Sequence, residues 1–138
     1  MIGSISEMPI TDESYPFSSA ERYCHLSAKG YVEREYRVDG TANVFRTVDE
    51  DGGVEVMTAD APYANRIVVR APKDPAQASG NVVVEIINPT SFMEIERMWI
   101  LGNGEFVRSC DIYVGITSKP NTIAKLKEFN PDRYAFMS

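Results

Sequence analysis

Two short apolar runs flank a helical stretch, and that arrangement leaves few folds open to the chain. Asn81-Val-Val-Val-Glu-Ile-Ile87 and Asp111-Ile-Tyr-Val-Gly-Ile-Thr117 are almost uninterrupted in apolar residues, as in strands buried on both faces. Between them, Thr90-Ser-Phe-Met-Glu94 opens a helix. Two such strands joined by a helix form a parallel crossover, so residues 81–117 are expected as one βαβ unit. Ligands on open α/β sheets bind beyond the carboxyl ends of the strands. Those ends are Asn88-Pro89-Thr90 and Thr117-Ser118-Lys119.

The crossover helix has its own signals. Ser91 and Glu94 stand at the Ser-x-x-Glu spacing of a capping box, which places the helix start at 91. Ile95, Met98, Trp99, Gly102 and Phe106 then share one face. Trp99 is expected in the core, with Gly102 packed closely on the sheet. Asn121 can cap a further short helix over 122–127, before Asn130-Pro131-Asp132 turns the chain away.

Upstream of 81 the order is different. Residues 1–20 are rich in Ser, Pro and acids, with Pro9 and Pro16 breaking regular structure, and read as an extended arm. A short helix fits within 18–29, capped by Ser18 or Ser19 and ended by Gly30. Tyr31–Val38 mixes aromatic, β-branched and charged residues and reads as an exposed strand. Asp39-Gly40 is a turn signal that pairs it with 42–48 as a hairpin. Asp49-Glu-Asp-Gly-Gly53 is an acidic loop, Val54–Met57 continues the meander, and Asn65–Ala71 is a clearer strand ended by Pro72. An antiparallel meander over 31–71 thus precedes the βαβ unit over 81–117. One mixed sheet accommodates both.

Composition excludes several function classes. The 43% hydrophobic and 25% charged fractions are those of an ordinary globular domain. Twelve of the 20 acids but only five of the 14 bases fall in residues 1–60, and the net charge is −6. No basic stripe exists to displace counterions from nucleic acid. Cys24 and Cys110 stand far apart, in no metal or redox spacing, and are expected as free thiols. No signal-peptide start and no membrane-length apolar run is visible, so a cytoplasmic location is the default expectation.

Reaction machinery is sparse. No Gly-x-Ser-x-Gly elbow occurs, and Gly115-Ile-Thr-Ser118 lacks both the spacing and the second glycine. His25, the only histidine, lies in the N-terminal quarter. One histidine and two scattered cysteines do not make a zinc site. Gly102-Asn-Gly104 lacks the third glycine of a dinucleotide fingerprint and sits inside the helix. No catalytic side chain, metal ligand or cofactor is therefore assigned. The loop Asn88-Pro89-Thr90-Ser91 remains: either Ser91 simply caps the following helix, or a loop amide helps hold an oxyanion.

Several stretches in order carry a resemblance: Gly30–Tyr36, Gly40–Val44, Pro62-Tyr63 with Arg66, Val68–Pro72, Gly80–Glu85 through Asn88, Tyr113–Thr117 and Phe129–Tyr134. Over residues 25–138 the chain resembles the N-terminal part of bacterial α/β-hydrolase domain-containing proteins. The resemblance implies an incomplete α/β-hydrolase-type mixed sheet, one domain part spanning 1–138. It makes 81–87 the third strand of that sheet and 112–117 the fourth. It also puts the loop 88–91 where this fold supplies one oxyanion-hole amide. Pro89 has no N–H, so Thr90 or Ser91 would donate. The triad of such enzymes would lie beyond Ser138. The implied activity is serine carboxylic-ester hydrolysis, with this segment as scaffold. The implied partner is a complementary C-terminal hydrolase segment, or a second copy, at the open sheet edge, with a small ester as substrate of the complete enzyme. The alternative is a non-catalytic α/β module that binds a ligand or partner.

Overall fold

The two apolar runs do lie side by side and parallel. A computed structural model describes residues 1–138. Its strands are β1 (Ile2–Met8), β2 (Tyr31–Thr47), β3 (Val54–Pro72), β4 (Val82–Ile86) and β5 (Ile112–Ile116). Its helices are α1 (Ala20–Cys24), α2 (Arg97–Ser109), α3 (Pro120–Phe129) and α4 (Pro131–Tyr134). All five strands form one sheet in the order β1-β2-β3-β5-β4. Only β4 and β5 pair in parallel, from Val82 opposite Ile112 to Ile86 opposite Ile116. The other pairs are antiparallel. The class is α/β with a mixed sheet, and no helix is long and apolar enough to cross a membrane.

The N-terminal half departs from expectation at its turns. Asp39-Gly40 is not a hairpin turn, because β2 runs straight through it to Thr47. Gly40 serves close approach: a Cβ there would lie 2.3 Å from the Met1 carbonyl and 2.8 Å from the Tyr63 hydroxyl. The reversal comes instead at the acidic loop, where Gly52 has φ 86° and Gly53 N–H donates to Asp49 Oδ1 at 2.6 Å. Val54–Met57 and Asn65–Ala71 thereby merge into one long strand, β3. Residues 2–8, expected within an extended arm, form an edge strand along β2; Pro9 and Pro16 both follow it. The segment 18–29 is helical but broken at His25, which has φ 50°. Ser19 does not cap its own helix. Instead Glu33 reaches across from β2 and accepts from the Ala20 N–H at 2.8 Å.

Helical segments cover one sheet face only. On that face lie Tyr31, Glu33 and Glu35 of β2, Arg66, Val68 and Arg70 of β3, Tyr113 of β5 and Glu85 of β4, all buried. One core cluster joins Ala20, Leu26, Tyr31, Trp99 and Tyr113. A second joins Leu126, Tyr134 and Met137 with Phe17 and Met8 against it. Trp99 is a core residue as expected, 3% exposed. The run 81–87 is not buried on both faces. Val82 and Val84 are each 54% exposed and Ile86 71%, all facing away from the helices at the sheet edge. Gly102 also differs: its neighbour is not the sheet but the Phe106 ring of its own helix, which a Cβ would approach to 3.2 Å.

The buried face is unusual in carrying charge. Arg66 bonds Glu35 and Glu94, Arg70 bonds Glu33 and Glu96, and Arg133 bonds Glu35 at 2.6 Å. Burial alone would lower the Arg66 pKa, but Glu94 and Glu35 outweigh it and hold the guanidinium well above its ordinary value. Removing one member strands its partners in a low dielectric. Glu35→Ala should therefore lower stability in urea unfolding by about 3–5 kcal/mol. Arg46→Ala, at the exposed Arg46–Glu55 pair, should cost less than about 1 kcal/mol. Equal effects would contradict this assignment.

Candidate functional site

Parallel pairing brings the carboxyl ends of β4 and β5 to the same edge of the sheet. Three bonds lock them there. Ile87 N–H donates to the Ile116 carbonyl at 2.9 Å, and the Ser118 hydroxyl donates to the Ile87 carbonyl at 3.2 Å. From β3, Asn65 Nδ2 donates to the Thr117 carbonyl at 2.9 Å. Arg66 Nε meets Thr117 Oγ1 at 3.1 Å, so the same arginine that binds Glu35 and Glu94 also fixes the end of β5. These bonds tie the carboxyl ends of β4 and β5 to each other and to β3.

The loop after β4 is a closed excursion. Asn88 and Ile95 exchange two backbone bonds, Asn88 N–H to Ile95 at 3.2 Å and Ile95 N–H to Asn88 at 2.9 Å. Between them, Thr90 N–H donates to the Asn88 side-chain oxygen at 2.8 Å. Ser91 and Phe92 both adopt left-handed backbone, with φ of 60° and 58°. Such conformations are rare for non-glycine residues. The Ser91 N–H has no hydrogen-bond partner within the chain. Of the two amides singled out, Thr90's is thus engaged locally and Ser91's is not.

The capping box expected at Ser91 and Glu94 does not form. The helix begins at Arg97, six residues late, and Ser91 caps nothing. Glu94 is drawn inward to Arg66, where it is 4% exposed. A capping-box carboxylate gains a single bond at the surface, whereas the buried Arg66 needs a counter-ion. Glu85, on β4 just before the 88–91 loop, takes the Met98 N–H at 3.1 Å and the Tyr113 hydroxyl at 2.6 Å.

Beside the β5 end opens a cleft of about 430 Å³, lined among others by Tyr63, Asn65, Thr117, Ser118, Lys119 and Lys127. No acidic residue lines it, so its potential favours neutral polar or anionic groups. His25 is exposed at the end of α1 and lines neither the cleft nor the 88–91 loop. Cys24 and Cys110 are free thiols. No three His, Cys, Asp or Glu side chains are grouped to hold a metal ion.

What the sequence does not disclose is the charge lattice beneath the site. Glu33 and Glu35 stand two apart in β2, and Arg66 and Arg70 lie an even number apart in β3. That period of two places each set on one face. The signal is present, but alternation of charge with Val32, Arg34 and Tyr36 leaves the buried face undecided.

Within this lattice the Glu96 carboxyl is raised above the ordinary glutamate value, by burial first and against the opposing pull of Arg70. A folded-state pKa above the unfolded one means the folded chain binds the proton more tightly. The associated stability is complete below the ordinary glutamate range and is lost as pH rises through the raised value. Melting temperatures of wild type and Glu96→Gln, followed upward from about pH 4, should reflect this: wild type loses stability relative to the variant, which cannot ionise. Parallel curves would contradict it.

Residues 6–138 match the family described as the alpha/beta hydrolase domain, and the chain belongs to that family. No curated protein and no solved structure matches it.

Proposed function

We propose that this member of the alpha/beta hydrolase family is the N-terminal part of a serine carboxylic-ester hydrolase, serving as scaffold and oxyanion support. The observation that carries the reading is the position of the loop 88–91. It leaves the carboxyl end of β4, which pairs on one side only and exposes Val82, Val84 and Ile86. A further parallel strand adding to that edge would deliver its own carboxyl end beside Ser91. In this fold the nucleophile follows such a strand, and one oxyanion donor comes from the loop after the third.

On this reading the Ser91 amide is the donor, since Thr90 N–H already serves Asn88. Developing negative charge on the ester oxygen would be met by a fixed dipole, which needs no reorganisation as the tetrahedral intermediate forms. The left-handed backbone at Ser91 and Phe92 and the Asn88–Ile95 bridge hold that amide in place. The serine, acid and base come from a complementary hydrolase segment seated on the β4 edge. An edge of this type is a template for pairing, so the chain alone would self-associate through it.

Two measurements on the active hydrolase containing this segment test the proposal. A serine-directed phosphonate should label a serine outside residues 1–138, and Ser91→Ala should keep ester turnover within about threefold, because the amide and not the hydroxyl acts. Labelling within 1–138, or loss of turnover of about a hundredfold in Ser91→Ala, would refute it.

A further inference from the structure

The hairpin of β2 and β3 outgrows the sheet that contains it. The last bond from the β1 side reaches Thr41, and β5 pairs with β3 only over Ile67–Arg70. Beyond those points β2 and β3 pair with each other alone, from Ala42 opposite Ala61 to Thr47 opposite Val54. Every residue from 42 to 60 except Gly53 is exposed. The side-chain bonds of this ribbon stay within it: Arg46 to Glu55, Gly53 N–H to Asp49, and Asp60 N–H to the Asn43 side chain.

The two sides of the ribbon differ. Phe45 stands opposite Val56 and Thr47 opposite Val54, so alternation puts these four on one side. Arg46 and Glu55, directly opposite each other, form an ion pair on the other. Phe45, Val54 and Val56 are 56%, 63% and 47% exposed. A two-stranded ribbon is marginal in water unless its apolar side packs on something, and within the chain this side packs on nothing.

The ends of the ribbon are electrically matched. Its tip carries Asp49, Glu50 and Asp51; Asp49 accepts from the Gly53 N–H, whereas Glu50 and Asp51 have no bonded partner. At its base, Tyr63 of β3 lines the cleft of about 430 Å³, which no acidic residue lines. Lys125 outside that cleft pairs with Glu128, but Lys119 and Lys127 inside it form no ion pair. The stretch of β3 from Val54 to Tyr63 spans about 30 Å of extended chain. Both strands run from base to tip without reversing, so the tip is carried away from its own cleft.

We propose that the ribbon docks on the same ribbon of a second copy of this chain, antiparallel and apolar side to apolar side, with the acidic tip of each copy in the lysine cleft of the other. Charge selects the occupant: the cleft that complements the tip belongs to this same sequence. A two-fold axis satisfies both ends together, because the span from tip to cleft is identical in the two chains. The inference is independent of the hydrolase reading, since neither the ribbon nor the cleft includes a residue of β4 or of the loop 88–91.

The test is a charge swap in the full chain, read by sedimentation equilibrium and by exchange between two differently tagged copies. One variant reverses the tip, Glu50→Lys with Asp51→Lys, and spares Asp49, which holds the turn at Gly53. The other reverses the cleft, Lys119→Glu with Lys127→Glu. Wild type should form a dimer, and each variant alone should dimerise at least about tenfold more weakly, because like charges then meet. An equimolar mixture of the two variants should recover an affinity within about threefold of wild type, since both tip-to-cleft contacts are again of opposite sign. That recovery also shows that both variants fold. Phe45→Gln should weaken the wild-type dimer at least about tenfold, as loss of a central apolar anchor does. Association through the β4 edge responds to none of these changes. A monomeric wild type, a dimer indifferent to both reversals, or a mixture that associates no better than its components would overturn the proposal.

Discussion

Two guanidiniums inside a β-sheet organise the molecule. Arg66 and Arg70 rise from β3 into the helix-covered side, where both are almost wholly buried. Each ties β2 to the segment that follows β4: Arg66 joins Glu35 to Glu94, and Arg70 joins Glu33 to Glu96. The flanking residues extend the ties. Arg133 of α4 and the Tyr134 hydroxyl both bond Glu35, which brings in the C-terminal helices. Ser19 and the Ala20 amide both donate to Glu33, which docks α1. Aromatic rings complete the setting, with the Arg70 guanidinium 4.6 Å from the Trp99 ring centre and 5.2 Å from that of Tyr113. Buried ion pairs often contribute little net stability compared with an apolar core, but separating one leaves an uncompensated buried charge, which is strongly destabilising. Their role here is to fix where the segment 94–96 sits, and hence the loop immediately before it.

That constraint explains which parts of the fold were legible in the sequence. The βαβ unit was, because the apolar runs at 81–87 and 111–117 are short, adjacent to a helix and unlike anything else in the chain. The long β2–β3 hairpin was not, because Asp39-Gly40 carries the local signature of a turn. The competing demand was tertiary: Met1 and Tyr63 crowd that point of the sheet, and only glycine leaves them room. The capping box at Ser91 failed for a similar reason. Spacing along the chain describes what a helix end would use, but Glu94 has a stronger partner 28 residues away in Arg66. The exposed face of β4 could not be foreseen from composition, since Val82, Val84 and Ile86 look the same whether or not another layer covers them.

The candidate site was legible in place but not in detail. The rule that ligands gather at the carboxyl ends of parallel strands led to Asn88–Ser91 and Thr117–Lys119, and the parallel pairing of β4 with β5 brings both to one edge. The distinction between the Thr90 and Ser91 amides depends on the Asn88 side chain, and the burial of Glu94 and Glu96 depends on contacts between distant segments. Neither has a signature in sequence spacing. Conversely, the two features share a cause. The segment that begins with the strained loop at Ser91 and Phe92 continues into the two buried glutamates, so the lattice that positions one shapes the other.

The central claim is that the buried arginine lattice, and not local turn chemistry, holds the 88–96 loop. Amide hydrogen exchange in Arg66→Lys addresses it most directly, because lysine keeps the charge but cannot span Glu35, Glu94 and Thr117 together. The amides of Asn88 and Ile95, which close the loop, should then exchange at least about tenfold faster, while those at the centre of the β3–β5 pairing stay protected. Unchanged protection at Asn88 and Ile95 in the folded variant would show that the loop stands without the lattice.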